Sequence, residues 1–123
     1  MAIQKCKDLD VYKKSFDLAT RIFDQTKLFP LEEKYSLVDQ IRRSSRSVPV
    51  NIREGFAKRK YPDVFIRHLN DALGSSEETL AWLDFAYEAN YIKKEKYDDL
   101  YKEYGVVGAM LYKLMNNWQK FDA

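Results

Sequence analysis

Apolar residues recur along most of the chain at intervals of three and four, the period of a helix that turns one face to a core. The first such segment runs from about Asp8 to Lys27, with Leu9, Tyr12, Phe16, Ala19 and Phe23 on one face and Val11, Leu18 and Ile22 beside it. Asp8 is its expected N-cap, because a carboxylate can accept a free first-turn N–H. Phe29-Pro30 closes this segment and opens the next, since Pro suits a first turn and Glu32 and Glu33 suit the positive end of a helix dipole. The second segment, about Leu31 to Arg59, puts Leu37, Ile41, Val48 and Ile52 on one stripe. Pro49 lies inside it and removes a backbone hydrogen bond to Ser45, so a kink or short break is expected there. Tyr61-Pro62-Asp63 starts a third helix reaching about Asn90, with Phe65, Leu69, Ala72, Leu73, Ser76, Leu80, Leu83 and Tyr87 on its core face. The fourth runs from about Lys94 to Phe121, with Tyr97, Leu100, Tyr104, Val107, Leu111, Leu114, Trp118 and Phe121 in register.

The connections are short, so sequential helices should pack antiparallel. The expected fold is all-α: one domain over residues 1–123, an antiparallel up-down-up-down four-helix bundle with its second helix kinked near Pro49. Composition agrees. The chain has four Gly and three Pro, where average usage of roughly 12% for the two would give about fifteen. So few turn formers argue against a many-stranded sandwich or barrel.

Composition also narrows the chemistry. One cysteine, Cys6, excludes an internal disulfide framework and a Cys-rich zinc site. One histidine, His68, makes His-based metal or triad chemistry hard to assemble. A helical ribonuclease motif needs an Arg separated from its His by four to six intervening residues, and Tyr61, Pro62 and Asp63 occupy those places. A di-iron site built on Glu33, Glu54 and Glu78 needs Glu-x-x-His pairs. Gly74-Ser75-Ser76 lies inside a helix without a following Lys, so it is no phosphate loop. Cys6 has no arrangement of His or Lys to activate it. No catalytic residue, metal or cofactor is expected. No apolar run approaches the roughly 18 residues needed to span a bilayer, and residues 1–10 lack the apolar core of a signal peptide. A cytoplasmic protein is the expectation.

Charge adds the most. The chain totals +2, but residues 41–60 hold Arg42, Arg43, Arg46, Arg53, Lys58, Arg59 and Lys60 against Glu54 alone, a net +6 that leaves −4 for the rest. On a helical wheel, Arg42, Arg46 and Arg53 fall on one flank of the second helix, with Lys60 continuing the line and Lys58 and Arg59 adjoining it. This is either a solvated basic face or a rail of guanidinium groups for phosphates. Tyr61, beside Lys58-Arg59-Lys60, either stacks on an exposed base or staples the start of the third helix. The other flank carries Arg43, Ser47, Asn51 and Glu54. On the third helix His68, Asp71, Ser75 and Glu78 share a face and could meet that flank in a polar network. Ser44, Ser45, Gly55, Gly74 and Ser76 are small enough to let helix axes approach.

The string Ser47-Val48-Pro49-Val50-Asn51-Ile52-Arg53-Glu54-Gly55 brings a resemblance into view. Together with Phe29-Pro30-Leu31-Glu32-Glu33, Gln40-Ile41-Arg42-Arg43-Ser44 and Gly74-Ser75-Ser76-Glu77-Glu78, it closely resembles the bacterial intervening-sequence protein family. Members are four-helix bundles, often encoded in intervening sequences of large-subunit ribosomal RNA genes. The resemblance implies a homo-oligomer, pentameric where an assembly is described, and no enzymatic activity. A related accessory protein of diversity-generating retroelements binds nucleic acid and a reverse transcriptase through a basic surface. His68 and Asp71 depart from the pattern, standing where the family usually has apolar residues.

Two functional expectations follow. One is a non-catalytic oligomeric bundle whose arginine face binds RNA or DNA. The other is a protein-interaction scaffold in which those arginines meet acidic residues of a neighbouring subunit or protein partner. Tyr12, Trp82, Phe85, Tyr101 and Tyr112 are the candidates for an aromatic subunit interface.

Overall fold

The first helix turns its aliphatic stripe inward, not its aromatic one. In the computed structural model, which describes residues 3–121 and side chains as far as Trp118, α1 spans Asp10–Thr26. It buries Val11, Ser15, Leu18, Ala19, Ile22 and Thr26. Tyr12 and Phe23 are half-buried and Phe16 is exposed, so the expected core face is corrected by one step around the helix. Leu9, not Asp8, is the residue before the helix; the Asp8 carboxylate instead accepts the Lys5 N–H at 3.0 Å and closes the 3-10 turn Cys6–Asp8.

The second helix, α2, spans Leu37–Ala57 and begins six residues later than the pattern predicts. Pro30 opens only a single 3-10 turn, Leu31–Glu33. The Glu33 carboxylate explains the delay. It accepts Ser36 Oγ at 2.6 Å, Tyr91 Oη at 2.8 Å and the Leu37 N–H at 3.4 Å, so it supplies an acceptor to the start of α2 while tying this loop to the one after α3. The Ser36 and Tyr91 hydrogen bonds hold the Glu33 carboxyl below its usual range. Leu37, Ile41, Val48 and Ile52 all face the core. The helix is continuous through Pro49, so the expected short break does not occur. A proline removes only one ladder hydrogen bond, and the Pro49 ring is buried.

The third and fourth helices follow the sequence closely. α3 is Pro62–Glu88, with Pro62 in its first turn, and α4 is Lys94–Phe121. α3 ends in the expected region: Asn90 has a φ of 63°, and the Tyr91 N–H reaches back to the Ala86 carbonyl at 2.9 Å. That left-handed residue with a six-to-one bond is a common helix stop. Phe65, Leu69, Ala72, Ser76 and Leu83 of α3 are buried with Leu100, Tyr104, Val107, Leu111, Leu114 and Trp118 of α4. Leu73, Leu80, Tyr87 and Tyr97 are only half-buried, and the Phe121 side chain lies outside the described residues.

Each helix packs on its neighbour in sequence, and α1 also packs on α4. Contacting residues run in opposite order along each seam. Tyr12 meets Arg53 while Thr26 meets Arg42; Ser44 meets Thr79 while Asn51 meets His68; Tyr87 meets Tyr97 while Phe65 meets Trp118. Neighbouring helices are therefore antiparallel. Phe56, Phe65 and Trp118 form an edge-to-face cluster at one end of the core, with Phe65 and Trp118 centroids 4.6 Å apart.

Candidate nucleic-acid interface

α2 projects Arg42, Arg46 and Arg53 along the side that faces α1, and the rings of α1 receive them. The Arg42 guanidinium lies 4.3 Å from the Phe23 ring centre, and that of Arg46 lies 5.2 Å from the same ring. Arg53 sits 5.8 Å from the centre of the Tyr12 ring and donates to the Tyr12 hydroxyl at 3.3 Å. That hydrogen bond, with the hydroxyl's electrostatics, holds Arg53 still more firmly protonated. Arginine stems lie on apolar surface in this way while the charged edges stay in water.

The rail is not uniform. Arg42 is half-buried and internally engaged: its Nε donates to Thr26 Oγ1 at 2.8 Å and its Nη2 to the Phe23 carbonyl at 3.4 Å. It finishes the C-terminal turn of α1 and is less open to a phosphate than the exposed Arg46 and Arg53. Arg59 is similarly folded back, donating to the Phe56 carbonyl at 3.0 Å and lying 4.0 Å from the Phe56 ring centre. Arg46, Arg53, Lys58 and Lys60 are exposed. Lys60 leans over the exposed Tyr61 ring.

The charge balance around these groups is one-sided. Among the described residues, none of the seven cations between positions 41 and 60 has a carboxylate within ion-pair distance. The acids pair elsewhere: Glu103 with Lys14 and Asp99 with Arg21 across the α1–α4 seam, and Asp98 with Lys94 within α4.

The opposite flank of α2 holds the polar network the sequence suggests, with a changed membership. Asn51 Nδ2 donates to both the carbonyl and Oγ of Ser47, each at 3.0 Å, and Ser75 Oγ donates to Ser47 Oγ at 2.9 Å. His68 Nδ1 lies 3.3 Å from Asn51 Oδ1, and Lys58 Nζ lies 3.5 Å from His68 Nε2. An amide oxygen only accepts and an ammonium only donates, so the tautomer that suits both contacts is the one with its proton on Nδ1. Below this chain, Ser44 Oγ and Thr79 Oγ1 share a buried hydrogen bond of 2.9 Å.

Four expected members stand outside the network. Arg43 and Glu54 are exposed outside the α2–α3 seam, Glu54 at the groove toward α1, and among the described residues neither side chain has a hydrogen-bond partner. Glu78 instead accepts the Trp82 indole N–H at 3.0 Å, and Asp71 faces solvent. The glycines divide as well. A Cβ on Gly55 would lie 2.5 Å from the His68 Cβ, so α2 and α3 touch there. A Cβ on Gly74 would meet nothing within 4 Å, so Gly74 makes no close approach in this chain.

The expected interface aromatics are partly on the surface: Phe85 and Tyr112 are well exposed and Tyr101 less so, while Tyr12 and Trp82 are half-buried. Cys6 is buried, and burial pushes its thiol above the usual range against the opposing pull of Arg53. Among the described residues no group of three or more His, Cys, Asp or Glu side chains is placed to hold a metal ion, and no helix is long and apolar enough to cross a membrane. Sequence reasoning missed the part played by Tyr12, Phe16 and Phe23. Their spacing of four and seven opposite Arg42, Arg46 and Arg53 is the signal that would have found it.

Comparison with known proteins adds the lineage. No curated protein matches the chain. Among solved structures, one that resembles it is a crystal structure of a protein of unknown function from the S23 ribosomal protein family of Bacteroides thetaiotaomicron VPI-5482. It is 31% identical, the alignment covers 85% of this chain and 97% of that one, and the TM-score is 0.78. The family model described as 23S rRNA-intervening sequence protein matches residues 7–113. That stretch takes in all of α1, α2 and α3 and most of α4, with both flanks of α2, and on it the chain belongs to the 23S rRNA-intervening sequence protein family.

Proposed function

We propose that this chain is a non-catalytic, homo-oligomeric bundle of the cytoplasm that binds RNA or DNA through the exposed cations of α2. The observation that carries the reading is the net positive charge of residues 41–60, whose cations have no carboxylate within ion-pair distance among the described residues. Such a face binds phosphates with the release of counterions. The family's description, which names ribosomal RNA, agrees with a nucleic-acid partner. The non-catalytic reading draws on the fact that the one histidine is engaged between Asn51 and Lys58 and the one cysteine is buried. A pentamer is the assembly implied by family resemblance, and exposed Phe85, Tyr101 and Tyr112 are the surface such an assembly would cover.

The scaffold reading draws on the same open charges, which a neighbouring subunit's acids could answer. A titration of structured RNA, single-stranded RNA and duplex DNA at several salt concentrations separates the two. Phosphate binding requires an affinity that falls linearly in log–log form with salt, by about 0.9 per contact on a duplex. Absence of binding to all three at low salt would remove the nucleic-acid reading.

A further inference from the structure

We infer that the groove between α1 and α2 takes an unpaired nucleotide strand, with Phe16 as the ring on which a base stacks and Arg46 and Arg53 as the phosphate contacts. The inference rests on the nucleic-acid reading above and adds to it a preference for single strands.

The groove is a concavity of about 460 Å³ whose floor includes Pro49 and Val50 and whose rim carries Arg46 and Arg53. A second hollow of about 650 Å³ lies across Phe16 from it, rimmed by Lys7 and Lys13. The two share Tyr12, Phe16, Thr20 and Arg53, so Phe16 forms a ridge between them. Its side chain is 56% exposed in the middle of α1, where the core offers it no place.

The rings beside it are already used. Phe23 carries Arg42 and Arg46, and Tyr12 carries Arg53. The Tyr12 ring lies tilted beside Phe16, centroids 6.0 Å apart, but among the described residues no cation covers Phe16, which leaves its exposed face as a stacking surface between cations on both sides. An aromatic ring set in a basic groove suits a strand whose bases are unpaired, because every base has a face to stack and each nucleotide brings a phosphate. A duplex keeps its bases stacked inside and would leave Phe16 unused. Charge also selects against a second copy of this face. Four cations, Lys7, Lys13, Arg46 and Arg53, border the two hollows against Asp17 and Glu54, so two copies placed face to face would repel.

The test is a competition assay with short labelled oligouridylate and oligothymidylate against duplex DNA, using Phe16→Ala and Phe16→Trp. Phe16 is exposed, so both variants should keep the melting temperature and helicity of the parent. Phe16→Ala should weaken both single strands by about 5- to 150-fold and the duplex by less than about twofold. Its salt slope should not change, because no charge is removed. Phe16→Trp should hold or raise single-strand affinity. Single-strand binding within about twofold of the parent in Phe16→Ala would overturn the stacking assignment while leaving the wider reading intact. Failure of the unaltered protein to bind any of the three probes would remove both. A fall in oligomer mass in Phe16→Ala would make the ridge a contact between copies of this chain and would also overturn the inference.

Discussion

Toward α3, α2 presents Ser44, Ser47, Asn51 and Gly55, and each meets an answering group: Thr79, Ser75, His68 and the Cβ of His68. Toward α1 it presents Arg42, Arg46 and Arg53, and only Arg42 is bound by more than one hydrogen bond. Side-chain length accounts for the difference. Short residues bring two helix axes together, and polar groups shielded from water in the seam need internal partners. Long arginines lie along the α1 rings, hold the seam open as a groove and leave their charged edges outside. A similar count of polar residues thus closes one flank and opens the other. The closed flank sets the architecture, and the open flank is where a ligand can bind.

The largest expected effect is on the closed flank. Gly55→Ala places a methyl 2.5 Å from the His68 Cβ, an atom too close to the backbone to swing aside. Loss of stability at or above the upper end of the roughly 1–3 kcal/mol of overpacked cores is expected, whereas Gly74→Ala should stabilise by up to about 1 kcal/mol because a Cβ there meets only open space. Chemical denaturation of both variants checks the pair. Next in size is Asn51→Leu, which strands His68 Nδ1 and Ser47 and should cost about 1–3 kcal/mol; a neutral result would show that water already serves the seam. Arg42→Gln should cost about 1 kcal/mol through the lost bond to Thr26 Oγ1, while the Phe23 carbonyl keeps the Thr26 hydroxyl at 2.9 Å. It should barely alter nucleic-acid affinity, which would place Arg42 with the architecture.

The smallest effect lies at the end of the α3–α4 seam. Tyr97 donates to Asp84 Oδ1 at 2.7 Å, and this hydrogen bond, aided by burial, pushes its phenol up to about 12. A folded value above the unfolded one means the contribution is complete below about pH 10 and is lost as pH rises toward 12. Asp84→Asn should return the phenol toward its ordinary value, read as an earlier rise in phenolate absorbance.

Most of the bundle was legible in the sequence, because a wrong period would have left Ile41, Val48 and Ile52, or Leu100, Val107 and Leu111, on different faces. What escaped it depended on distant partners. α1 has an aliphatic and an aromatic stripe of the same period, and only the arginines of α2 decide which turns inward. The start of α2 is set by a contact between Glu33 and Tyr91, 58 residues apart. Gly55 and Gly74 look equivalent in the chain and differ only because His68 stands opposite one of them. The basic segment itself was plain, but not the engagement of Arg42, which needs the end of α1 to be in place. In the polar network, sequence spacing groups Ser47, Asn51 and Ser75 as the structure does, while Arg43 and Glu54 share that spacing but lie outside the α2–α3 seam, Glu54 at the groove toward α1.

The most direct measurement is the salt dependence of duplex binding for Arg46→Gln/Arg53→Gln beside the unaltered protein, with oligomer mass recorded for both. Both side chains are exposed, so the fold should persist. If the open flank binds phosphates, the log–log slope becomes shallower by about 1.8, which is about 0.9 for each lost contact, and the mass is unchanged. An unaltered slope with the assembly intact would contradict the account, and a drop in mass would assign these arginines to a neighbouring subunit instead.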